Sequence, residues 1–179
     1  PITHDWLGQS DRRCVVSVGR LAPQKGLELW IDAMKQMDAR QRPRWIAIGE
    51  GPQRAELTRR VQQGGLSDDV TFMGTVENPL PWLKAADAMV LPSRYEGLPT
   101  VLIEALTLGT PCVASDCRTG PAEIAKQGGR LELVDDRNPT SFVTAIQAVF
   151  DTPKPKRSFD FSPYTYENAA RGYVEWLGC

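Results

Sequence analysis

The chain has 179 residues, 41% of them hydrophobic and 24% charged, and a formal net charge of -1. This length suits one compact domain with a sizeable core, and the near-neutral charge gives no electrostatic reason to expect nucleic acid or an anionic membrane as a partner. No apolar run approaches the roughly 18 residues that a membrane-spanning helix needs. We also expect no signal peptide, because the opening residues PITHDWLGQSDRR contain no apolar core.

Strand-like and helix-like patterns alternate along the chain. Short apolar runs predict six strands, at residues 14–18, 45–48, 70–73, 88–91, 112–114 and 131–134. Helical patterns predict helices at residues 27–40, 53–63, 81–84, 99–108, 122–126 and 140–150. This alternation favours the α/β class, as a Rossmann-like parallel sheet of about six strands with helices on both faces.

The first strand-to-helix loop, VGRLAPQKG at residues 18–26, carries two cations, Arg20 and Lys25. In an open parallel sheet, such loops at the carboxyl ends of the strands form the ligand crevice. An arginine fork beside a mobile lysine charge suits a diphosphate. The alternative is that both side chains are solvated loop cations.

The segment EGLPTVLIE at residues 96–104 predicts a polar pocket at the start of a helix. Pro99 suits the first helical position, and Gly97 lets the backbone come close to a ligand. The free N–H groups of such a helix would point at an anion, and Glu104 would lie roughly 7.5 Å along its axis. The alternative is a solvated loop acid, Glu96, and an ordinary helix-surface Glu104.

Together these segments resemble glycosyltransferase family 4, whose retaining enzymes have the two-domain GT-B architecture. The resemblance is carried in order by VGRLAPQKG (18–26), IGEGP (48–52), VTFMG (70–74), LPSRYEGLPTVLIEA (91–105) and LGTPCVASDCRTGPAEI (108–124). Each motif is weak alone, but their order and spacing are typical of the family. The resemblance implies the C-terminal, nucleotide-sugar-binding half of such an enzyme.

The resemblance also implies roles for individual residues. Arg20 and Lys25 would hold the donor diphosphate and offset the charge on the leaving group. Glu96 would lie beside the transferred sugar, and Glu104 would accept hydrogen bonds from the ribose hydroxyls. The predicted catalytic residues are therefore Glu96, Arg20 and Lys25. The other predicted donor contacts are Gly19, Phe72, Met73, Gly97, Leu98, Pro99, Thr100 and Val101.

Some of these contacts are less specific than others. The backbone N–H groups of Thr100 and Val101 are the candidates for the phosphates, since proline has none to donate. Phe72 or Met73 would pack on the nucleobase, although either residue could equally belong to the core. For Tyr95, a packing role is favoured over a place in the donor pocket.

We expect no metal and no cofactor besides the nucleotide-sugar substrate. The chain has no DxD triplet, and the adjacent pairs at residues 68–69 and 135–136 are interpreted as surface loop acids. Two cations are already available for the diphosphate. The one histidine, His4, falls in an N-terminal segment expected to be frayed, which makes it a poor catalytic candidate.

The four cysteines, Cys14, Cys112, Cys117 and Cys179, are dispersed without CxxC spacing. Cys14 and Cys112 fall in predicted strands and are interpreted as buried small hydrophobes. We therefore expect a reducing cytoplasmic location, with the inner face of the plasma membrane as a further expectation for the longer enzyme.

The resemblance divides the chain into three parts. Residues 1–12 are interpreted as a remnant of an inter-domain linker, and residues 13–151 as the Rossmann-like nucleotide-sugar-binding domain. Residues 152–179 would form a connector and a C-terminal helix, at about 164–177, that crosses back to a missing N-terminal domain. A sugar or lipid-linked acceptor, and any membrane association, would depend on that missing domain. The alternative is a natural stand-alone domain.

The function implied is the donor-binding half of a retaining glycosyltransferase, inactive alone, acting in bacterial cell-surface polysaccharide or glycolipid synthesis. Residues 116–124, DCRTGPAEI, resemble bacterial members and favour a UDP-sugar donor. Leu98 and Pro99 depart from many relatives and would reshape the sugar pocket. The alternatives are a nucleotide-binding or regulatory module that transfers no sugar, and a sugar-nucleotide epimerase, which the spacing of the predicted site residues disfavours.

Overall fold

The computed structural model describes residues 4–8, 12–135, 138–152 and 159–168, and these residues are built around one parallel sheet. The strands are β1 (Cys14–Val18), β2 (Arg44–Ile48), β3 (Val70–Gly74), β4 (Ala88–Leu91), β5 (Cys112–Ser115) and β6 (Leu131–Val134). They pair in the order β3-β2-β1-β4-β5-β6, and every pairing is parallel. The predicted Rossmann-like sheet of six strands is confirmed.

Helices cover both faces of this sheet. They are α1 (Leu27–Gln36), α2 (Arg54–Gln63), α3 (Leu80–Ala85), α4 (Thr100–Thr107), α5 (Pro121–Ala125) and α6 (Pro139–Asp151). One apolar core holds side chains of α1, α2 and α6, and a second holds those of α3, α4 and α5. The chain therefore winds outward from β1 on one face of the sheet and outward from β4 on the other.

The central strands are buried on both faces, which explains their continuous apolar sequences. In β1, Val15 packs into one core, whereas Cys14 and Val16 pack into the other. This alternation follows from the two-residue period of a strand. Because both faces are covered, nearly the whole strand reads as apolar.

The first helix is shorter than its sequence pattern predicts. It ends at Gln36 instead of residue 40, and Met37 is extended and buried. Arg42 explains the early end, because its guanidinium donates to the backbone carbonyls of Met34 and Met37 at 2.9 and 3.1 Å. A side chain from beyond the helix thus satisfies the Met37 carbonyl and gives a second donor to the Met34 carbonyl, which also accepts from the Met37 N–H.

Of the two residues at 68–69, the prediction of a surface loop acid is wrong for Asp69. Asp69 is 7% exposed, and its two carboxylate oxygens accept hydrogen bonds from Arg12 at 2.8 Å and from Arg42 at 3.0 Å. These three residues lie at the amino ends of β1, β2 and β3, and we call them the amino-end cluster. The paired cations make burial of this carboxylate tolerable.

The N-terminal residues that the structure describes pack on the domain, so the expectation of fraying is wrong for residues 4–8. The His4 ring lies edge-on to Trp6 and Trp82, with centroids 5.1 and 5.9 Å apart. Trp6 and Leu7 join the second core.

The predicted final helix falls largely outside the described residues, which show a 3-10 turn at Ser162–Tyr164. Within the described residues, no helix is long and apolar enough to cross a membrane.

Candidate functional site

Of the predicted site residues, Gly19, Arg20 and Lys25 lie where the strand order reverses, between the carboxyl ends of β1 and β4, and Glu96 contacts Lys25. In an open α/β sheet, the loops at such a point diverge and leave a crevice. The structure has a cavity there. It is lined by Ser17, Val18, Gly19, Arg20, Lys25, Leu27, Val90, Leu91 and Pro92.

A second cavity adjoins the first beyond the ends of β2 and β3. It is lined by Val18, Gly19, Arg20, Ile48, Gly49, Glu50, Thr75, Val76 and Pro79. Gly49 is needed for close approach of the backbones, because a Cβ there would lie 2.0 Å from the Gly19 carbonyl oxygen. Gly19 and Arg20 line both cavities, so the two are contiguous; the first has a volume of about 10 Å³ and the second of about 330 Å³.

Lys25 and Glu96, two of the three predicted catalytic residues, are in direct contact. The Lys25 Nζ lies 2.7 Å from Glu96 Oε1, and the Ser93 hydroxyl donates to the same oxygen at 2.6 Å. The Glu96 side chain is 7% exposed and the Lys25 side chain 20%. We call Lys25, Ser93 and Glu96 the carboxyl-end cluster. Of the three, Lys25 lines the first cavity, and the Glu96 carboxylate lies behind it in contact with the Lys25 ammonium.

Arg20, the third predicted catalytic residue, is exposed beside this cluster. Among the residues that the structure describes, its guanidinium has no hydrogen-bond or ion-pair partner. Because Arg20 lines both cavities and its guanidinium donates to none of the described residues, its N–H groups are available to an anionic ligand.

Further hydrogen bonds join the loops after β1 and β4. The Arg94 backbone N–H donates to the Gln24 carbonyl at 2.8 Å, and the Gln24 side chain donates to the Tyr95 carbonyl at 3.0 Å. The Arg94 guanidinium pairs with Glu28 at the start of α1. These contacts hold the two loops in one arrangement. The sequence alone did not mark Gln24 or Ser93, although Ser93 lies three residues before Glu96.

The turn after Glu96 leads into α4, as the sequence predicts, but the helix begins at Thr100 and Pro99 is its cap. The first N–H groups of a helix have no intrahelical acceptor, so those of Thr100 and Val101 remain candidates for phosphates. Glu104 lies one turn further along the same side of the helix and is partly buried.

The loop after β5 supports this turn. Gly120 has φ 92°, and a Cβ there would lie 2.4 Å from the carbonyl oxygen of Gly97. The Thr119 hydroxyl donates to the Glu96 carbonyl at 2.5 Å. Burial, and then the charge of Glu96, raise the pKa of the Cys117 thiol. The thiol is therefore protonated near neutral pH and is a poor nucleophile.

Phe72 and Met73, the predicted base contacts, do not line either cavity. The Phe72 ring lies edge-on to Trp45 at 5.8 Å, with the Arg54 guanidinium 5.1 Å from its centroid. Met73 packs against the opposite core. The contact of Phe72 and Met73 with a base stays a prediction. Thr75, two residues after Met73, does line the second cavity. The favoured packing role of Tyr95 is wrong, since Tyr95 is 61% exposed.

Known proteins are similar to this sequence over most of its length. The family model described as glycosyl transferases group 1 matches residues 4–167. The chain is 30% identical over 145 residues to the amylovoran biosynthesis glycosyltransferase AmsD of Erwinia amylovora, covering 81% of this chain and 40% of that protein. It is 31% identical over 150 residues to the alpha-D-kanosaminyltransferase of Streptomyces kanamyceticus, covering 82% and 39%. The chain thus spans about 40% of the length of these curated relatives.

Solved structures resemble the fold over most of the chain. The apo form of the lipopolysaccharide outer core galactosyltransferase WaaB superposes with a TM-score of 0.73 at 25% identity, covering 83% of this chain and 43% of that one. Anabaena HepE in complex with UDP-glucose superposes with a TM-score of 0.71 at 26% identity, covering 79% and 40%.

Proposed function

The chain belongs to the glycosyl transferases group 1 family, and from that premise we propose that it is the donor-binding half of a retaining glycosyltransferase that uses a UDP-sugar. The acceptor belongs to cell-surface polysaccharide or glycolipid synthesis. The observation that carries the proposal is the meeting of Lys25, Glu96 and Arg20, which has no partner among the described residues, where the strand order reverses. A cation pair beside a carboxylate suits a diphosphate joined to a sugar.

The proposed roles are those that the family resemblance implies, and the positions and charges of Arg20, Lys25 and Glu96 support them. Arg20 and Lys25 bind the diphosphate and offset the negative charge that grows on it as the bond to the sugar breaks. Glu96 lies beside the sugar, where its carboxylate binds a hydroxyl or stabilises positive charge near the anomeric carbon. Glu104 accepts hydrogen bonds from the ribose hydroxyls. The sugar keeps its anomeric configuration when it is transferred.

The choice of UDP is supported by the structure of HepE in complex with UDP-glucose. Transfer of a hexose is supported by WaaB, which is named a galactosyltransferase. The acceptor class is supported by AmsD, which is named for amylovoran biosynthesis.

We also propose that donor binding requires no divalent metal, because two cations already face the diphosphate position. Removal of metal with EDTA should leave the affinity for UDP unchanged, and a loss that Mg²⁺ restores would contradict the proposal. A reducing cytoplasmic location is supported by the free, buried thiols of Cys14, Cys112 and Cys117.

Calorimetric titration of the chain with UDP, GDP, ADP and a UDP-sugar tests the proposal directly. We expect binding of UDP and the UDP-sugar, with a rise in melting temperature at saturating ligand. If none of the four ligands binds, the proposal is contradicted.

A non-catalytic nucleotide-binding module is the second candidate. The ion pair of Glu96 beside the cavity argues against it, because a module that reads only the nucleotide has no need of a carboxylate at the sugar position. In the full-length protein, Glu96→Ala should lower turnover far more than the affinity for UDP. Equal affinity and equal turnover for the variant and the unaltered protein would favour the module.

A further inference from the structure

We propose that Ser93 is a positioning residue that determines which carboxylate oxygen of Glu96 faces the donor sugar. This inference rests on the proposed function and deepens it. Ser93 follows β4 by two residues and is 1% exposed, so its hydroxyl lies beneath the site and out of reach of a ligand. Its bond to Glu96 Oε1 is 2.6 Å long.

The two oxygens of Glu96 are used differently. Oε1 receives both the Ser93 hydroxyl and the Lys25 ammonium, at 2.6 and 2.7 Å. Oε2 receives no hydrogen bond from the residues that the structure describes, yet it is not sealed from solvent. The terminal torsion of a glutamate is soft, so an unheld carboxylate would rotate and exchange its oxygens. Two donors on one oxygen prevent this exchange and leave Oε2 to the ligand.

Ser93 and Lys25 contribute differently once a donor is bound. Lys25 carries three N–H donors on a flexible stem, and the diphosphate competes for its charge. Ser93 has one O–H donor in a buried position with no ligand within reach. The serine hydroxyl therefore keeps Oε1 in place when the lysine turns to the phosphates. The Thr119 hydroxyl also holds Glu96 in place, because it donates to the backbone carbonyl of Glu96.

The test compares the affinities for UDP and for UDP-sugars. Calorimetry with UDP, UDP-glucose, UDP-galactose and UDP-N-acetylglucosamine identifies the sugar that the unaltered chain binds best. We expect Ser93→Ala to weaken that UDP-sugar about fivefold to tenfold and to leave the Kd for UDP within about twofold. Ser93→Cys, nearly the same size but a weak donor, should give the same loss. Glu96→Ala should weaken the UDP-sugar at least as much.

Ser115→Ala is the matched control, because Ser115 is also a 1% exposed serine at the end of a neighbouring strand, but its hydroxyl bonds to none of the described residues. This variant should bind all the ligands as the unaltered chain does. In the Glu96→Ala background, Ser93→Ala should cause no further loss, because the serine acts through the carboxylate.

Other outcomes separate the two proposals. If UDP fails to bind the unaltered chain, the proposed function is overturned. If UDP binds and Glu96→Ala weakens the UDP-sugar, but Ser93→Ala and Ser93→Cys do not, the positioning role is overturned and the proposed function stands. Equal losses of UDP and UDP-sugar in the Ser93 variants would also overturn it, since they indicate general loosening of the site.

Discussion

The two ends of the sheet use the same chemistry, a carboxylate between cations, in opposite ways. At the amino end, both carboxylate oxygens of Asp69 accept hydrogen bonds. The Arg42 guanidinium donates to Asp69 and to two backbone carbonyls. At the carboxyl end, Glu96 uses one oxygen, and Arg20 has no partner among the described residues. The amino-end cluster is closed upon itself, whereas the carboxyl-end cluster keeps bonding capacity for a ligand.

This difference follows from where each cluster lies in the fold. The amino-end cluster closes a helix end and the starts of three strands, so its groups must be satisfied within the fold. The carboxyl-end cluster lies where adjacent loops diverge, and unsatisfied groups there are in contact with solvent or ligand. An ion pair alone therefore does not mark a site, but an ion pair with spare donors and acceptors at this edge does.

The largest effect should come from breaking the closed cluster. We expect Asp69→Asn to lower the free energy of unfolding by about 3 kcal/mol, because two poorly exposed guanidinium groups lose their counter-charge. Urea denaturation measures this loss. Asp68→Asn, a change at the exposed neighbouring acid, is the control and should cost little. A loss of similar size in both variants would contradict the assignment of the cluster.

Removal of the Arg20 charge, beside the carboxyl-end cluster, should affect binding instead of stability. We expect Arg20→Ala to weaken UDP by about 2 kcal/mol, roughly thirtyfold, while the affinity for uridine stays nearly constant. Calorimetry with both ligands measures the difference. Arg40→Ala, at an exposed arginine between α1 and β2, should change neither affinity. Equal losses of UDP and uridine in Arg20→Ala would remove this residue from the diphosphate site.

Glu104 tests the other end of the ligand. We expect Glu104→Ala to weaken UDP and uridine alike, by about tenfold, because both ligands carry the ribose hydroxyls. Glu77→Ala, at an exposed loop glutamate, is the control. If uridine binding is unchanged while UDP binding falls, Glu104 does not bind the ribose.

The smallest expected effect is a change in the alkylation rate of one thiol. Cys14 lies near the amino end of the sheet and Cys117 near the carboxyl end. The pKa of Cys14 is raised to about 12 by burial and then by the charge of Asp87, and that of Cys117 is raised by burial and then by Glu96. Glu96→Gln removes one of these charges, so it should lower the Cys117 pKa and speed its alkylation at pH 9 a few-fold. Mass spectrometry measures the rate at each cysteine. The Cys14 rate should not change, and an equal change at both thiols would indicate loosening of the fold.

Much of the fold could be predicted from the sequence. The six predicted runs correspond to the six strands. For β1, β2, β4 and β5 the reason is that a strand buried on both faces must be apolar along nearly its whole length. The end of α1 could not be predicted, because it depends on Arg42, which comes from beyond the helix. The burial of Asp69 was missed for the same reason, since Arg12 and Arg42 reach it from other loops.

The family resemblance is confirmed by the family model. The sequence motifs by themselves indicate Arg20, Lys25, Glu96 and Glu104 as site residues. Their residue types and order belong to the sequence itself, because charge and turn chemistry are local properties. Only the tertiary structure decided that Lys25 and Glu96, 71 residues apart, share a bond, and that Ser93 joins them on the same oxygen. Contacts of this kind depend on strand order and on the angle of the loops, which no local pattern encodes.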